Sequence, residues 1–226
     1  MGPEPDPNDP TPGMHIWGWM SPDELRWLME QAEQMGSIAE IGCLHGRSAF
    51  ALATACPGPV ICIDPWDDDA DASFPSFMEN VGWMRNVYPL RGRSLDVVAR
   101  RGEVPWKSVP LAVAVNDNGG WPPIEMVFLD GAHAYESVLA DICAWLPHTE
   151  KLICGHDYYD GPEAGFPGVA KAVRQVFGDR VTVAPGTSIW WVNLEMSGRD
   201  VAAGLPEGPV TWVDEYGVTN SYDFAW

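Results

Sequence analysis

Short apolar runs along this chain alternate with segments in which apolar residues recur at helical spacing. The runs that predict buried strands lie at 37–42, 59–64, 124–130 and 151–154, with a weaker one at 88–91. The segments that predict helices lie at 21–36, 47–55, 77–87, 94–101, 135–146 and 168–177. Because strands that alternate with helices pair in parallel and are covered on both faces, the pattern predicts an α/β fold with a mostly parallel sheet.

The pattern changes after the last of these helices. Two β-rich runs, at 180–184 and 188–194, are separated only by Pro185, Gly186 and Thr187. So short a connection joins antiparallel strands, so this part of the chain predicts a terminal hairpin.

The two ends of the chain lack regular spacing. Residues 1–13 are rich in proline and acid, and we expect them to form a disordered arm. Residues 14–194 are long enough for one domain with a single core. Residues 195–226 carry several aromatic side chains with little periodicity, and we interpret them as an extension that packs on the domain or on a partner subunit.

Charge and cysteine content narrow the possible partners and location. The 13 basic and 32 acidic residues give a formal net charge of −19, which argues against nucleic acid or an anionic membrane as a partner. The sequence contains no apolar run long enough to span a bilayer. Its five cysteines lack the spacing of zinc sites or redox pairs, so we expect buried thiols and a cytoplasmic protein.

Polar residues collect where the predicted strands end. Glu40, Gly42 and Gly46 follow the first strand, and Asp64 ends the second. Asp130 and His133 follow the strand at 124–130, and His156 and Asp157 follow the next one. Because ligands of open parallel sheets bind beyond the carboxyl ends of the strands, we expect these residues to meet at one edge.

The first turn indicates a nucleoside without phosphates. Its glycines allow close approach of the backbone to a ligand, but it lacks both the GxGxxG and the GxxxxGK[ST] spacing of phosphate-binding turns. Asp64 lies about 20 residues further on, where a carboxylate can accept hydrogen bonds from ribose. The alternative interpretation is an ordinary strand–helix turn with a helix-capping acid.

Four motifs in order carry a resemblance to a known family. They are Glu40-x-Gly42-x-x-x-Gly46, Ile63-Asp64-Pro65-Trp66, Asp130-Gly131-Ala132-His133-x-Tyr135 and Gly155-His156-Asp157-Tyr158. Together, over about 38–194, they resemble the class I S-adenosylmethionine-dependent methyltransferases, within them the branch of macrocin-type and catechol-type O-methyltransferases. The resemblance implies a Rossmann-like, doubly wound, seven-stranded and mostly parallel sheet with the C-terminal antiparallel hairpin.

The resemblance also implies a cofactor site for S-adenosylmethionine. The methionine part would lie along the first turn, the ribose at Asp64 and the adenine near Ser94. The residues implied in cofactor binding are Glu40, Gly42, Cys43, Gly46, Ser48, Asp64, Trp66, Ser94 and Asp130.

Catalytic and metal-binding residues follow from the same resemblance. His133, with Asp130 beside it, is the candidate base that takes the proton of an acceptor hydroxyl. Relatives of this branch bind a divalent cation, which places magnesium or manganese at Asp130, His156 and Asp157. His156 stands where macrocin-type enzymes have a carboxylate. This departure argues either against a metal at this position or for manganese, which accepts an imidazole ligand. A packing or helix-capping role is the alternative for His133 and for His156.

We therefore expect methyl transfer to a small hydroxylated acceptor, a sugar or a phenol, with a homo-oligomer formed through the extension. A second hypothesis is a non-catalytic binding or assembly module that keeps the fold, suggested by the extension and by an insertion at 109–123. A nicotinamide-dependent enzyme is a third, and the missing GxGxxG counts against it.

Overall fold

The computed structural model describes residues 11–66, 74–99, 121, 123–160, 165–197, 210–213 and 219–222. The helices are α1 (Pro22–Ala32), α2 (Arg47–Ala55), α3 (Phe74–Asn80), α4 (Ser94–Ala99), α5 (Tyr135–Trp145), α6 (Pro167–Phe177) and α7 (Leu194–Ser197). The strands are β1 (Ile38–Ile41), β2 (Val60–Asp64), β3 (Val87–Arg91), β4 (Ile124–Leu129), β5 (Thr149–Gly155), β6 (Thr182–Val183), β7 (Trp190–Asn193), β8 (Val210–Val213) and β9 (Thr219–Tyr222).

Seven strands form one sheet in the order β3-β2-β1-β4-β5-β7-β6. The first five strands pair in parallel, and β7 runs antiparallel to both β5 and β6. This confirms the predicted α/β fold with a mostly parallel sheet and a C-terminal antiparallel hairpin. The chain leaves β1 toward β2 on one side and reaches β4 on the other, so the topological switch point lies between β1 and β4.

The sheet is covered by two apolar layers because alternate strand residues point to opposite faces. Ala39 and Ile41 of β1 join a core with α5 and α6, whereas Ile38 joins a core with α1 and α2. Glu40 shares the second face with Ile38, which places a carboxyl group inside the layer between the sheet and α2.

Two helices end earlier than the sequence pattern predicts. The helix expected at 21–36 ends at Ala32, and turns follow it. We expected a helix at 77–87, whereas α3 ends at Asn80 and turns lead from there into β3. Phe77, Val81 and Met84 are all buried at helix-like spacing. The apolar pattern therefore predicted the buried positions correctly but not the helix. Gly82, a poor helix former, lies in the turns that follow α3.

The ends of the described chain pack on the domain. A turn joins the Met14 amide to the Thr11 carbonyl, and Gly13 lies against the backbone of Arg47. β8 and β9 pair as an antiparallel hairpin, and β8 lies against α5. Residues 1–10 and most of the insertion at 109–123 lie outside the described residues. Within the described part, no helix has the length and apolar character needed to cross a membrane.

Candidate active site

The turn between β1 and α2, residues 42–46, is here called the glycine turn. Gly42 and Gly46 have φ angles of 86° and 90°, in the left-handed region that favours glycine. A Cβ atom on Gly42 would lie 2.1 Å from the carbonyl oxygen of Asp130, so only glycine lets the turn approach the end of β4. Gly46 is the N-cap residue of α2 and has no side chain to cap it. The first amides of a helix without a side-chain cap can bind an anion.

Asp64, at the end of β2, organises the glycine turn. Its Oδ2 accepts hydrogen bonds from the amides of Cys43 and Leu44 at 2.8 and 3.0 Å. Its Oδ1 accepts one from the amide of Trp66 at 2.7 Å. A carboxylate oxygen can accept about two hydrogen bonds, so Oδ1 keeps one acceptor position for a ligand hydroxyl.

Trp66 lies beneath this turn instead of beside an open cleft. Its side chain is 2% exposed, and its indole nitrogen donates to the Leu44 carbonyl at 2.9 Å. Leu44 and Trp66 both have positive φ angles, of 46° and 41°. Because this conformation is unfavourable for residues with a side chain, the contacts with Asp64 are needed to hold it.

Glu40 is fully buried and reaches from β1 to α2. Its carboxyl group accepts hydrogen bonds from the hydroxyl of Ser48 and, at 3.6 Å, from the thiol of Cys62. Burial raises the pKa of Glu40 to about 8, the hydrogen bond from Ser48 opposes the rise, and the charge of Asp130 adds to it. The hydrogen bond between Ser48 and Glu40 joins α2 to β1 and so stabilises the glycine turn that connects them.

Ser94, expected near adenine, is tied to α5. Its hydroxyl accepts a hydrogen bond from the indole nitrogen of Trp145 at 2.8 Å and bonds to Asp141. Burial raises the pKa of Asp141 to about 6. The described hydrogen bonds of Ser94 do not connect it to the glycine turn.

A second group of polar side chains lies beyond the ends of β4 and β5. We call it the histidine–carboxylate cluster, and its members are Glu24, Asp130, His133, His156 and Asp157. His133 Nε2 lies 2.8 Å from Asp157 Oδ2, and the His133 ring stacks on Phe166. His156 Nδ1 lies 3.3 Å from Asp157 Oδ1 and 3.5 Å from Asp130 Oδ1.

The other ring nitrogen of His156 faces α1. Nε2 lies 3.1 Å from Glu24 Oε1, although its N–H is not aimed closely enough to make a linear hydrogen bond. The sequence did not point to Glu24 as a site residue. Ser21-Pro22-Asp23-Glu24 is the local signal of a helix start, and α1 does begin there with a capping box.

His156, Glu24 and Asp157 stabilise one another's charged forms. Burial alone would lower the pKa of His156, but Asp130, Asp157 and Glu24 outweigh it and raise the pKa to about 12. Burial opposes ionisation of Glu24, yet contacts with His156 and Ser21 lower its pKa to about 2. Asp157 is likewise buried, and the hydrogen bonds from His133 and His156 bring its pKa below the usual range.

The donor atoms of the cluster fit a divalent cation. Oxygens of Asp130 and Asp157 and a nitrogen of His156 lie within 4.8 Å of one another. Two carboxylates and one imidazole suit manganese, and the oxygens suit magnesium. The same His156 nitrogen can bind a cation only when it carries no proton.

An open groove lies beside the glycine turn. Its volume is about 450 Å³, and it is lined by His15, Ile16, Trp17, His45, Ser76, Glu79 and Asn80. The rings of Trp17 and Trp19 meet edge to face at 4.6 Å, with 53% and 76% of the two residues exposed. The groove thus combines aromatic and polar groups.

The structure brings the predicted site residues to one edge of the sheet as two groups. The first group forms the glycine turn or contacts it, and its members are Glu40, Cys43, Gly46, Ser48, Asp64 and Trp66. The second group belongs to the histidine–carboxylate cluster, and its members are Asp130, His133, His156 and Asp157. Gly42, packed on Asp130, joins them. All five cysteines are buried and unpaired, as expected.

Comparison with solved structures supports the fold. An O-methyltransferase from Bacillus cereus in complex with S-adenosylhomocysteine aligns with a TM-score of 0.54 and 18% identity, over 78% of this chain and 83% of that chain. Another relative is the O-methyltransferase TomG from Streptomyces achromogenes, which is involved in tomaymycin synthesis and was solved in complex with S-adenosylmethionine. It aligns with a TM-score of 0.53 and 21% identity, over 77% of this chain and 81% of that chain. A TDP-rhamnose 3′-O-methyltransferase of calicheamicin biosynthesis aligns with a TM-score of 0.51 and 18% identity, over 75% of this chain and 76% of that chain.

Sequence comparison identifies the family. A search of curated protein sequences finds no match to this chain. The family model described as a methyltransferase domain matches residues 39–158, which is more than half of the chain and includes both the glycine turn and the end of β5. The chain therefore belongs to this methyltransferase family, and its sheet has the fold of class I S-adenosylmethionine-dependent O-methyltransferases.

Proposed function

We propose that this protein transfers the methyl group of S-adenosylmethionine to a hydroxyl oxygen of a small acceptor. The observation that carries the proposal is the junction of the glycine turn with Asp64 and Asp130 at the switch point of the sheet. Family membership supports methyl transfer, and structural relatives that contain S-adenosylmethionine or S-adenosylhomocysteine support the cofactor.

The cofactor would lie across the glycine turn. The free amides at the start of α2 suit the methionine carboxylate, and the remaining acceptor position on Asp64 suits a ribose hydroxyl. Four residues would stabilise the conformation of the glycine turn: Glu40, Cys43, Ser48 and Trp66. Gly42 and Gly46 have no side chains and would leave space for the cofactor beside the turn. Ser94 remains our candidate at the adenine end, and Asp130 at the methionine end.

His133 is our candidate base. Asp157 bonds to one ring nitrogen and holds the ring in place, and the side chain is 38% exposed, so the other nitrogen can receive a proton. As the acceptor oxygen attacks the methyl carbon, its proton passes to His133. The carbon–sulfur bond breaks and sulfur keeps the electron pair, which leaves neutral S-adenosylhomocysteine.

A divalent cation, magnesium or manganese, would be held by Asp130, His156 and Asp157. Bound there, it would lower the pKa of the acceptor hydroxyl and fix its orientation. The spacing of the three donor atoms supports this assignment.

The acceptor would enter through the groove beside the glycine turn. Indole faces stack on the apolar faces of sugars and phenols, and Glu79, Asn80 and His45 offer partners for hydroxyl groups. A structural relative that methylates TDP-rhamnose supports a sugar as the acceptor class.

Calorimetry with S-adenosylmethionine and S-adenosylhomocysteine, followed by methyl transfer to a panel of glycosides and phenols, tests the proposal. D64A should weaken binding of either compound at least about tenfold, whereas D179A, in an exposed turn, should not. H133A should retain S-adenosylhomocysteine affinity and lose about 10²- to 10⁴-fold in kcat, with H148A as its control.

Three results would count against parts of this proposal. No binding of either compound at millimolar concentration would end it. Binding without transfer to any acceptor would favour a non-catalytic binding module. Full activity of H133A would remove the assigned base.

A further inference from the structure

Glu24 is the one buried acid of α1. It is 6% exposed, whereas Asp23 and Glu30 of the same helix face solvent. The helix precedes the segment matched by the methyltransferase family model, which begins at residue 39. A buried carboxylate outside the matched domain, pointing at the candidate site, needs a physical reason.

The two oxygens of Glu24 have different partners. Oε2 accepts hydrogen bonds from the amide and hydroxyl of Ser21 at 2.8 and 2.9 Å, which closes the capping box of α1. Oε1 accepts from the amide and hydroxyl of Ser188 at 3.1 and 3.0 Å and lies 3.1 Å from Nε2 of His156. Capping explains the position of Oε2, and the hydrogen bonds from Ser188 account for two contacts of Oε1. Neither accounts for the contact between Oε1 and His156.

Glu24 lies beside the Nε2 edge of the His156 ring, with 3.1 Å between Oε1 and Nε2. An imidazole has its two nitrogens on different edges, so a partner for Nε2 directs Nδ1 to the opposite side. Nδ1 then lies 3.3 Å from Asp157 and 3.5 Å from Asp130. Carboxylates that hold the far nitrogen of a histidine in this way orient it toward a ligand or a metal ion.

We propose that Glu24 is a positioning residue, which fixes the ring of His156 so that Nδ1 faces Asp130 and Asp157. The N-terminal helix thereby contributes to a site whose other members follow β4 and β5. This proposal rests on the function proposed above only in taking the histidine–carboxylate cluster as part of the active site.

A purely structural role of Glu24 predicts different behaviour. Its capping bonds go to Ser21. S21A should remove the two that involve the Ser21 hydroxyl, keep the bond from the Ser21 amide to Oε2, and leave the contact with His156 in place. The loss of a helix cap costs about 1 kcal/mol of stability. E24Q removes the charge that faces His156, and E30Q makes the same change on the exposed side of α1.

Two readouts on the full chain test the proposal. The first is the ¹H–¹⁵N spectrum of the histidine ring nitrogens in ¹⁵N-histidine-labelled protein without metal. E24Q should shift the His156 signals, and S21A and E30Q should not. The second is calorimetric affinity for Mn²⁺, which should fall about 10- to 100-fold in E24Q and stay within twofold in S21A and E30Q.

The outcomes separate this inference from the proposed function. Unchanged His156 signals in E24Q, or equal shifts in E24Q and S21A, would overturn the positioning role. If the unaltered chain does not bind Mn²⁺, the assigned cation fails, and the spectra still decide on Glu24. E24D keeps the charge on a shorter side chain and should give smaller shifts than E24Q, and it replaces E24Q if that variant does not fold.

Discussion

Buried acids near the candidate site are held in opposite protonation states. Among the described residues, Glu40 has hydroxyl and thiol donors but no cation beside it, and burial raises its pKa to about 8. Glu24 and Asp157 are also buried, but His156 contacts both and their pKa values fall. Near neutral pH one carboxyl group therefore retains its proton while its neighbours are ionised, because the environment of each residue differs.

The raised pKa of Glu40 predicts a loss of stability as pH rises. In the unfolded chain Glu40 ionises near its ordinary value of 4.5, whereas in the folded chain it holds the proton to about 8. The free energy of unfolding should fall between these two pH values, because only the folded state keeps the proton. E40Q cannot ionise, so its melting temperature should exceed that of the unaltered chain by about 5 °C or more at pH 8.5 and by much less at pH 5.

Melting curves from pH 4.5 to 9 measure this difference directly. Groups that titrate in both proteins cancel when the two profiles are subtracted. E33Q, which changes an exposed acid just beyond α1, should follow the unaltered chain at every pH. Parallel profiles of E40Q and the unaltered chain would show that Glu40 ionises normally.

Among the elements, the glycine turn is the one whose shape determines the site. It places the start of α2, the Asp64 carboxylate and the end of β4 within contact of one another. Two obstacles stand against a side chain at Gly42, a positive φ angle and the Asp130 carbonyl 2.1 Å from the Cβ position.

Gly186 allows these two obstacles to be separated. It has a φ angle of 76°, yet in the described part of the chain no atom outside its immediate chain neighbours lies within 4 Å of the position its Cβ would take. G186A should therefore cost only the strain of the left-handed conformation, about 1 kcal/mol. G42A adds a backbone clash and should cost about 3 kcal/mol or more, together with loss of S-adenosylhomocysteine binding. Urea unfolding and calorimetry measure both effects, and equal destabilisation by the two variants would contradict the close approach to Asp130.

Signals that lie close together in the sequence predicted the elements well. Ser21, Pro22 and Glu24 predicted where α1 begins, and the apolar runs located every strand of the large sheet. The ends of α1 and α3 were predicted wrongly. For α3 the reason is that Val81 and Met84 keep helical spacing in turns. The strand ends predicted which residues meet at the rim, but contacts such as Glu24 with His156 depend on tertiary packing that no local pattern encodes.

At the scale of the whole molecule, strand β8 near the C-terminus packs against helix α5 of the large domain. Nearly every residue from Val138 to Trp145 of this helix is buried, which exceeds the single apolar face that the sequence indicated. The sheet and α6 cover part of α5, and β8 lies against it as well. A hairpin of two four-residue strands is marginal on its own, so we expect β8–β9 to depend on its contact with α5.

A chain that ends at Ser197 keeps all seven strands of the large sheet but uncovers part of α5. We predict that its melting temperature falls by roughly 5–10 °C, because apolar surface returns to water, and that it binds the dye ANS. Removal of residues 1–10, which contain almost no apolar side chains, serves as the control and should change neither property. An unchanged melting temperature without dye binding would mean that β8 is not needed to cover α5.

Light scattering on the same samples tests the predicted oligomer. A mass of 24.8 kDa for the full chain would contradict it, and a mass that falls to that of the monomer only in the shortened chain would place the contact in the extension.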